Sequence, residues 1–214
     1  ELMGGIIVSG GTFSGSGDMT TDFIFVYSGS YTAGEGTTSV ISYATHPDAG
    51  SSTAFSNRYW DGGVGGTFDP NGGTMAFNGG VAQYIRGVNN TTALTFYNLI
   101  TSGGAYLKQL RDIDLVVAND LTILDASVFG AESVATGWIV SGNVTVTSGT
   151  LNLYDRQPQS AVLVNPPTAS FGSLTISENG IYNATSGTTT INGAPTGSRS
   201  WYNRGTFTHN SGTV

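Results

Sequence analysis

The stretch from Gly137 to Leu153, GWIVSGNVTVTSGTLNL, decides how the rest of the chain is read. Val144 and Val146 alternate with Thr145 and Thr147, the Ser148-Gly149 pair breaks the run, and Leu151 and Leu153 resume the alternation around Asn152. A period of two puts the valines and leucines on one face of a strand and the threonines on the other. The break predicts a corner, with Gly149 supplying its backbone freedom. A strand–corner–strand unit with one apolar face cannot bury that face alone. It must stack on copies of itself, which builds a continuous core from pieces that are unstable singly.

Working outward, shorter echoes carry the same apolar-Thr-apolar centre: LTFYNLI (94–100), NDLTILD (119–125) and GSLTISENG (172–180). They recur about every 25 to 30 residues, a spacing that repeat architectures use. A longer echo pairs GTFDPNGGTM (66–75) with GTFTHNSGTV (205–214), 139 residues apart. That interval is too long for one turn of a solenoid and marks a superordinate repeat or a unit used twice. Each copy has a tryptophan just upstream, Trp60 and Trp201. Residues 155–170, with Pro158, Pro166 and Pro167, and residues 130–137 read as loops between repeats. AYLKQLRDID (105–114) fits a short helix or a strand.

Residues 1–65 are less regular. GGIIVSGG, TDFIFVYSGSYTAGEG and TTSVISY read as strands rich in β-branched and aromatic residues. They are expected to form an N-terminal β cap, a small antiparallel extension, or a strand exchanged between subunits. Residues 66–214 are expected to be the repeats.

Composition limits the functions available. The chain has 14 acidic and 7 basic residues, a net charge of −7 and a single lysine, Lys108. Affinity for nucleic acid needs clustered Lys and Arg, so none is expected. Cysteine is absent, which removes disulfides and thiolate metal sites. No run approaches the roughly 18 apolar residues of a membrane helix, so membrane insertion is not expected. The 32 glycines read as corners, because they accompany apolar alternation rather than a featureless polar tract. A chain this poor in charge and rich in Thr, Asn and Gly suits an extracellular or cell-surface location.

The pieces GTFTHNSGTV, FNGGVAQYIRG, TALTFYNLI, NDLTIL and GNVTVTSGTLNL together resemble the repeats of large bacterial secreted and cell-surface proteins. These are predicted right-handed parallel β-helices, similar to autotransporter passengers and adhesin stalks. The resemblance covers about residues 66–214. It implies an extended scaffold on the cell surface and brings no catalytic residue with it. The expected fold is therefore all-β, a right-handed parallel β-helix or solenoid with an N-terminal β cap. A jelly-roll β-sandwich, built from mainly antiparallel neighbours, is the alternative.

Candidate chemistry is sparse, and no catalytic residue or cofactor is expected. Arg111, Asp112 and Asp114 lie together, and on a strand Asp112 and Asp114 would share a face, where two carboxylates could act as acid and base or hold a metal such as calcium. A solvated edge is the plainer reading. His46 and His209 have no ligand partners at metal spacing, and His209 fits a turn. Sequons begin at Asn89, Asn90, Asn143 and Asn183, with Asn143 better suited to bonding a turn backbone. Tyr59-Trp60 and Trp201-Tyr202 are candidates for stacking on sugar rings or anchoring a protein, or for sealing the core at a coil end.

The expected function is a non-enzymatic structural or adhesive protein, with a polysaccharide-active enzyme or carbohydrate-binding module as the alternative. Partners would be other copies of the chain, adjoining repeats of a longer one, or surface glycans. Head-to-tail assembly by strand addition would use Ile6, Val8 and Phe13 at one end and Phe207 and Val214 at the other.

Overall fold

The computed structural model describes residues 4–45, 52–56, 65–87, 93–104, 107–111, 114–125, 128–131, 137–153, 168–193 and 199–214. The protein is all-β, with no helix among the described residues. The first strands are β1 (Ile6–Ser14), β2 (Met19–Thr21), β3 (Ile24–Thr32), β4 (Thr37–Val40), β5 (Ala44–Thr45), β6 (Ser52–Ser56), β7 (Thr67–Asp69) and β8 (Thr74–Phe77). Next come β9 (Gln83–Arg86), β10 (Leu94–Phe96), β11 (Asn98–Thr101), β12 (Leu107–Arg111), β13 (Leu115–Val117), β14 (Leu121–Ile123) and β15 (Val128–Ala131). The last are β16 (Gly137–Val146), β17 (Thr150–Asn152), β18 (Thr168–Ile176), β19 (Ile181–Asn183), β20 (Thr189–Ile191), β21 (Trp201–Asn203) and β22 (Thr206–Thr208).

Every ladder among the described strands is parallel except the short β5–β6 pair, so the antiparallel neighbours of a jelly roll are not what holds this fold. The pairing resolves into three stacks. Residues 6–8 of β1 and 24–26 of β3 open the first, followed by β6, β9, β12, β15, β17, β19 and β22. Residues 12–14 and 30–32 open the second, followed by β7, then β10 beside it, β13, residues 137–140, residues 168–171 and β20. The third holds β2, β4, β8, β11, β14, residues 143–146, residues 173–176 and β21. The chain visits the stacks in the order one, two, three and then begins again one strand further along.

Strands on both sides of residue 66 belong to the same stacks: β3 pairs with β7 and β4 with β8, in parallel register. Ile6 and Val8 are buried in the chain's own core. The stretch AYLKQLRDID contributes β12, a strand paired with β9 and β15.

Alternation within each strand decides which side chains go inside. In the third stack Leu99, Leu121, Val144 and Leu174 lie in register and are fully buried. Burying each contributes roughly 1.5–3 kcal/mol. The second stack carries an aromatic column: Phe13 stacks on Tyr31 at 5.6 Å, Tyr31 on Phe68 at 5.6 Å, and Phe68 lies 5.5 Å from Phe96. Tyr182 and Phe207 repeat the arrangement in the first stack at 5.7 Å. Each such pair adds about 0.5–1.5 kcal/mol beyond its area. One buried polar side chain is fully paired. Gln83 is fully buried, donates to the carbonyls of Val40 and Ser42 at 2.8 Å each, and accepts from the Gly79 amide. It ties one corner to the strand before it.

The two long echoes are two copies of one turn. Gly73 N–H donates to the Pro70 carbonyl at 2.9 Å and Gly212 N–H to the His209 carbonyl at 2.8 Å. The central residues all have left-handed φ: 43° and 72° at Asn71 and Gly72, 49° and 64° at Asn210 and Ser211. This is the pattern of a type I′ turn. Asn71 and Asn210 each donate from the side-chain amide to a carbonyl one strand back, on Ala33 and Ala184. The copies occupy different corners, because β7 belongs to the second stack and β22 to the first. The Ser148-Gly149 corner needs no such geometry, and Gly149 does not have a positive φ.

Candidate functional site

The outer face of the third stack forms a groove of about 610 Å³. Its floor is in-register side chains. Thr122, Thr145, Thr175 and Tyr202 follow one another on β14, β16, β18 and β21, one step outward from the buried row. A second row, Asp120, Asn143 and Ser173, runs beside it. Arg199 rises at the far end, its guanidinium carbon 5.2 Å from the centre of the Tyr202 ring.

The two rows differ in what they have left to offer. Asp120 accepts from the backbone N–H of Asn143 at 2.7 Å and from its side-chain amide at 3.1 Å, and Ser173 donates to Asn143 Oδ1 at 2.6 Å. The row continues upward through Asn98, which accepts from Asn119 Nδ2 and from the Asp120 amide. These groups fasten successive strands along one corner. Thr122, Thr145 and Thr175 make no side-chain hydrogen bond among the described residues, and their half-buried hydroxyls face the groove. Arg199 is exposed and has no carboxylate partner among the described residues. Arg204 pairs with Glu178 at 2.7 Å, on the surface and of small energetic weight.

The acidic candidates have structural work. Asp114 accepts from the backbone N–H of Gly137 on the next strand at 3.0 Å, and Asp18 does the same for Thr37 at 2.7 Å. Together with Asp120 they form a recurring device: a carboxylate just before a strand caps the amide that starts the neighbouring strand. Asp112 lies outside the described residues. Among the described residues no three His, Asp or Glu side chains group as metal ligands. Of Arg111 only the backbone is described, in β12. His209 accepts through Nδ1 from the Ser211 amide at 3.1 Å, inside its turn. Asn143 bonds side chains on both neighbouring strands rather than the turn backbone expected for it.

The aromatic pair Trp201-Tyr202 is divided. Trp201 faces in, in register with Leu174 and edge-on to Phe207 at 5.0 Å, whereas Tyr202 faces out, in register with Thr175. Period-two alternation in β21 imposes this. Tyr59, Trp60 and His46 lie outside the described residues. Among the assembly candidates, Phe13 and Phe207 are half-buried in aromatic stacks and Val214 is exposed. β1 and β22 are the outer strands of the first stack among the described residues.

Burial raises the pKa of two tyrosines against the pull of their hydrogen bonds. Desolvation pushes Tyr182, bonded to Thr189 Oγ1 at 3.0 Å, up to about 12. It raises Tyr31, bonded to Thr38 Oγ1 at 3.4 Å, in the same direction. Both hydroxyls hold the core and neither opens to the groove. The outer threonines and Arg199 escaped the sequence reading because an exposed Thr in an alternating strand looks the same whether its neighbours align with it or not. Comparison with protein families, curated proteins and solved structures finds no match.

Proposed function

We propose that the chain is a right-handed parallel β-helix with three strands per turn, acting as a non-enzymatic structural or adhesive element of a cell surface or extracellular filament. The observation that supports it is the continuous parallel pairing of three stacks over one core. In such an arrangement each turn rests on the next, and length is gained by repetition. Parallel strands joined by crossovers take the right-handed course almost without exception, which supports the hand. Asp114, one of the two carboxylates that resembled an acid–base pair in the sequence, is spent on the Gly137 backbone amide, and this favours a scaffold over a polysaccharide-cleaving enzyme.

Incubation with a panel of acidic and neutral polysaccharides tests the non-enzymatic part. The expected result is no new reducing or unsaturated ends, and release of either overturns it. Antibody labelling of intact cells that express the protein tests the location. Surface decoration is expected, and signal only after permeabilisation overturns it.

A further inference from the structure

We infer that the groove over the third stack is a binding site for a short segment of acidic glycan, with Arg199 taking a uronate carboxylate and the threonine row taking ring hydroxyls. The inference rests on the scaffold reading above and names the ligand class for it. Strand spacing sets the length. From Thr122 on β14 to Tyr202 on β21 is three strand spacings, about 14 Å at about 4.8 Å each, close to three pyranose units in line. Each spacing repeats the same chemistry, a free hydroxyl that can donate once and accept twice. A chain of sugars repeats its hydroxyls at a similar interval, so one row can serve successive units.

Two features favour a carboxylated sugar. Arg199 is a cation with no carboxylate partner among the described residues, held against the Tyr202 ring at 5.2 Å, and a planar guanidinium matches a carboxylate with two parallel bonds. Its position at one end, three strands from Asp120, keeps a bound anion away from the only carboxylate lining the groove among the described residues. A flat crystalline surface is a poorer occupant, because Arg199 and Tyr202 stand up at one end. Nucleic acid would need more than one cation.

The test is calorimetric titration of the intact chain with a uronic-acid trisaccharide and with the neutral trisaccharide of the same linkage. Three proteins are compared: the parent, Arg199→Gln and Thr145→Val. Both substitutions lie on the outer face, and valine keeps the β-branched shape of threonine; circular dichroism melting verifies that each variant is folded. The parent is expected to bind the uronide about tenfold more tightly than the neutral sugar, the worth of one charge-assisted bond. Arg199→Gln should abolish that preference. Thr145→Val should weaken both sugars about fivefold. Added salt should weaken only the uronide. No binding of either sugar by the parent, equal binding of both, or variants that match the parent would overturn the assignment while leaving the scaffold reading intact. Cleavage of the bound uronide would overturn the scaffold reading and leave the groove assigned.

Discussion

Gly172 gives the sharpest test of how the stacks are held together. It lies at the bend of β18, where the strand passes from the second stack to the third, directly over Gly142 in β16. A Cβ built on Gly172 would lie 2.5 Å from the carbonyl oxygens of both Ser141 and Gly142. The closest comfortable carbon–oxygen approach is about 3.3 Å, so the two strands would have to part by about 0.8 Å. Neither obstacle is a movable side chain. The same corner is held from both sides by the bonds Gly142 N–H to Asn119 and Gly193 N–H to Gly172, each 2.9 Å, so the strands cannot part without disturbing them. Overpacking of this kind costs about 1–3 kcal/mol and each weakened bond up to about 1. Gly172→Ala is therefore expected to lose about 2–4 kcal/mol. Gly137→Ala is its control, since that Cβ meets nothing within 4 Å. There the reduced freedom of the unfolded chain should stabilise by about 0.4–1 kcal/mol. Denaturant unfolding followed by circular dichroism measures both. Both substitutions remove the same unfolded-state freedom, so their difference isolates the close approach. A Gly172→Ala protein within about 0.5 kcal/mol of the parent, or equal losses at the two sites, would refute the reasoning.

Tyr182 makes stability sensitive to alkali. An unfolded tyrosine ionises near 10 and the folded one near 12, so its contribution is complete below pH 10 and lost as pH rises through 12. That is on the order of 2–3 kcal/mol, with Tyr31 acting in the same direction. Tyr182→Phe should cost about 1 kcal/mol at neutral pH through the lost Thr189 bond, and should flatten the decline in melting temperature between pH 10 and 12. Asp120→Ala should destabilise by about 1–3 kcal/mol because it strands the Asn143 amide, whereas Asp120→Asn keeps an acceptor and should stay near the parent; urea midpoints separate the two. Ser211→Gly should raise the melting temperature slightly, since glycine relieves a left-handed φ of 64° worth about 1 kcal/mol; a lower melting temperature would show that the turn is not under that strain.

Alternation carried much of this fold into view. Val144, Val146, Leu151 and Leu153 are all buried, and Thr145 and Thr147 face out, as a period of two requires. The echoes at 121–123, 143–146 and 173–176 do stack on one another. The first echo was out of phase: Leu94, Thr95 and Phe96 pair with Leu115, Val116 and Val117, and it is Leu99, Ile100 and Thr101 that align with Leu121, Thr122 and Ile123. An apolar-Thr-apolar triplet fits any of the three stacks, so sequence alone could not choose between them. The same limit applied to the GTF echo, which encodes a turn usable at any corner and says nothing of position along the axis. In Trp201-Tyr202 the residues were visible as a pair, but which one faces out depends on the register of β21 against β18. The groove was hidden for a related reason. It exists only because strands distant in sequence lie side by side, and no local pattern records that Thr122, Thr145 and Thr175 share a face.

The direction of the ladders has a mechanical consequence. In every stack the strands run across the long direction of the pile, so their backbone hydrogen bonds point along it. A pull in that direction meets these bonds a strand at a time, like a zipper, instead of shearing a whole ladder at once. Each release would convert one strand spacing into free chain. The 22-residue step from Leu99 to Leu121, for example, would stretch to about 75 Å at about 3.4 Å per residue. Such a molecule lengthens in steps at modest force and absorbs work as it does so, while a pull across the pile meets whole rows of bonds together and finds it stiff.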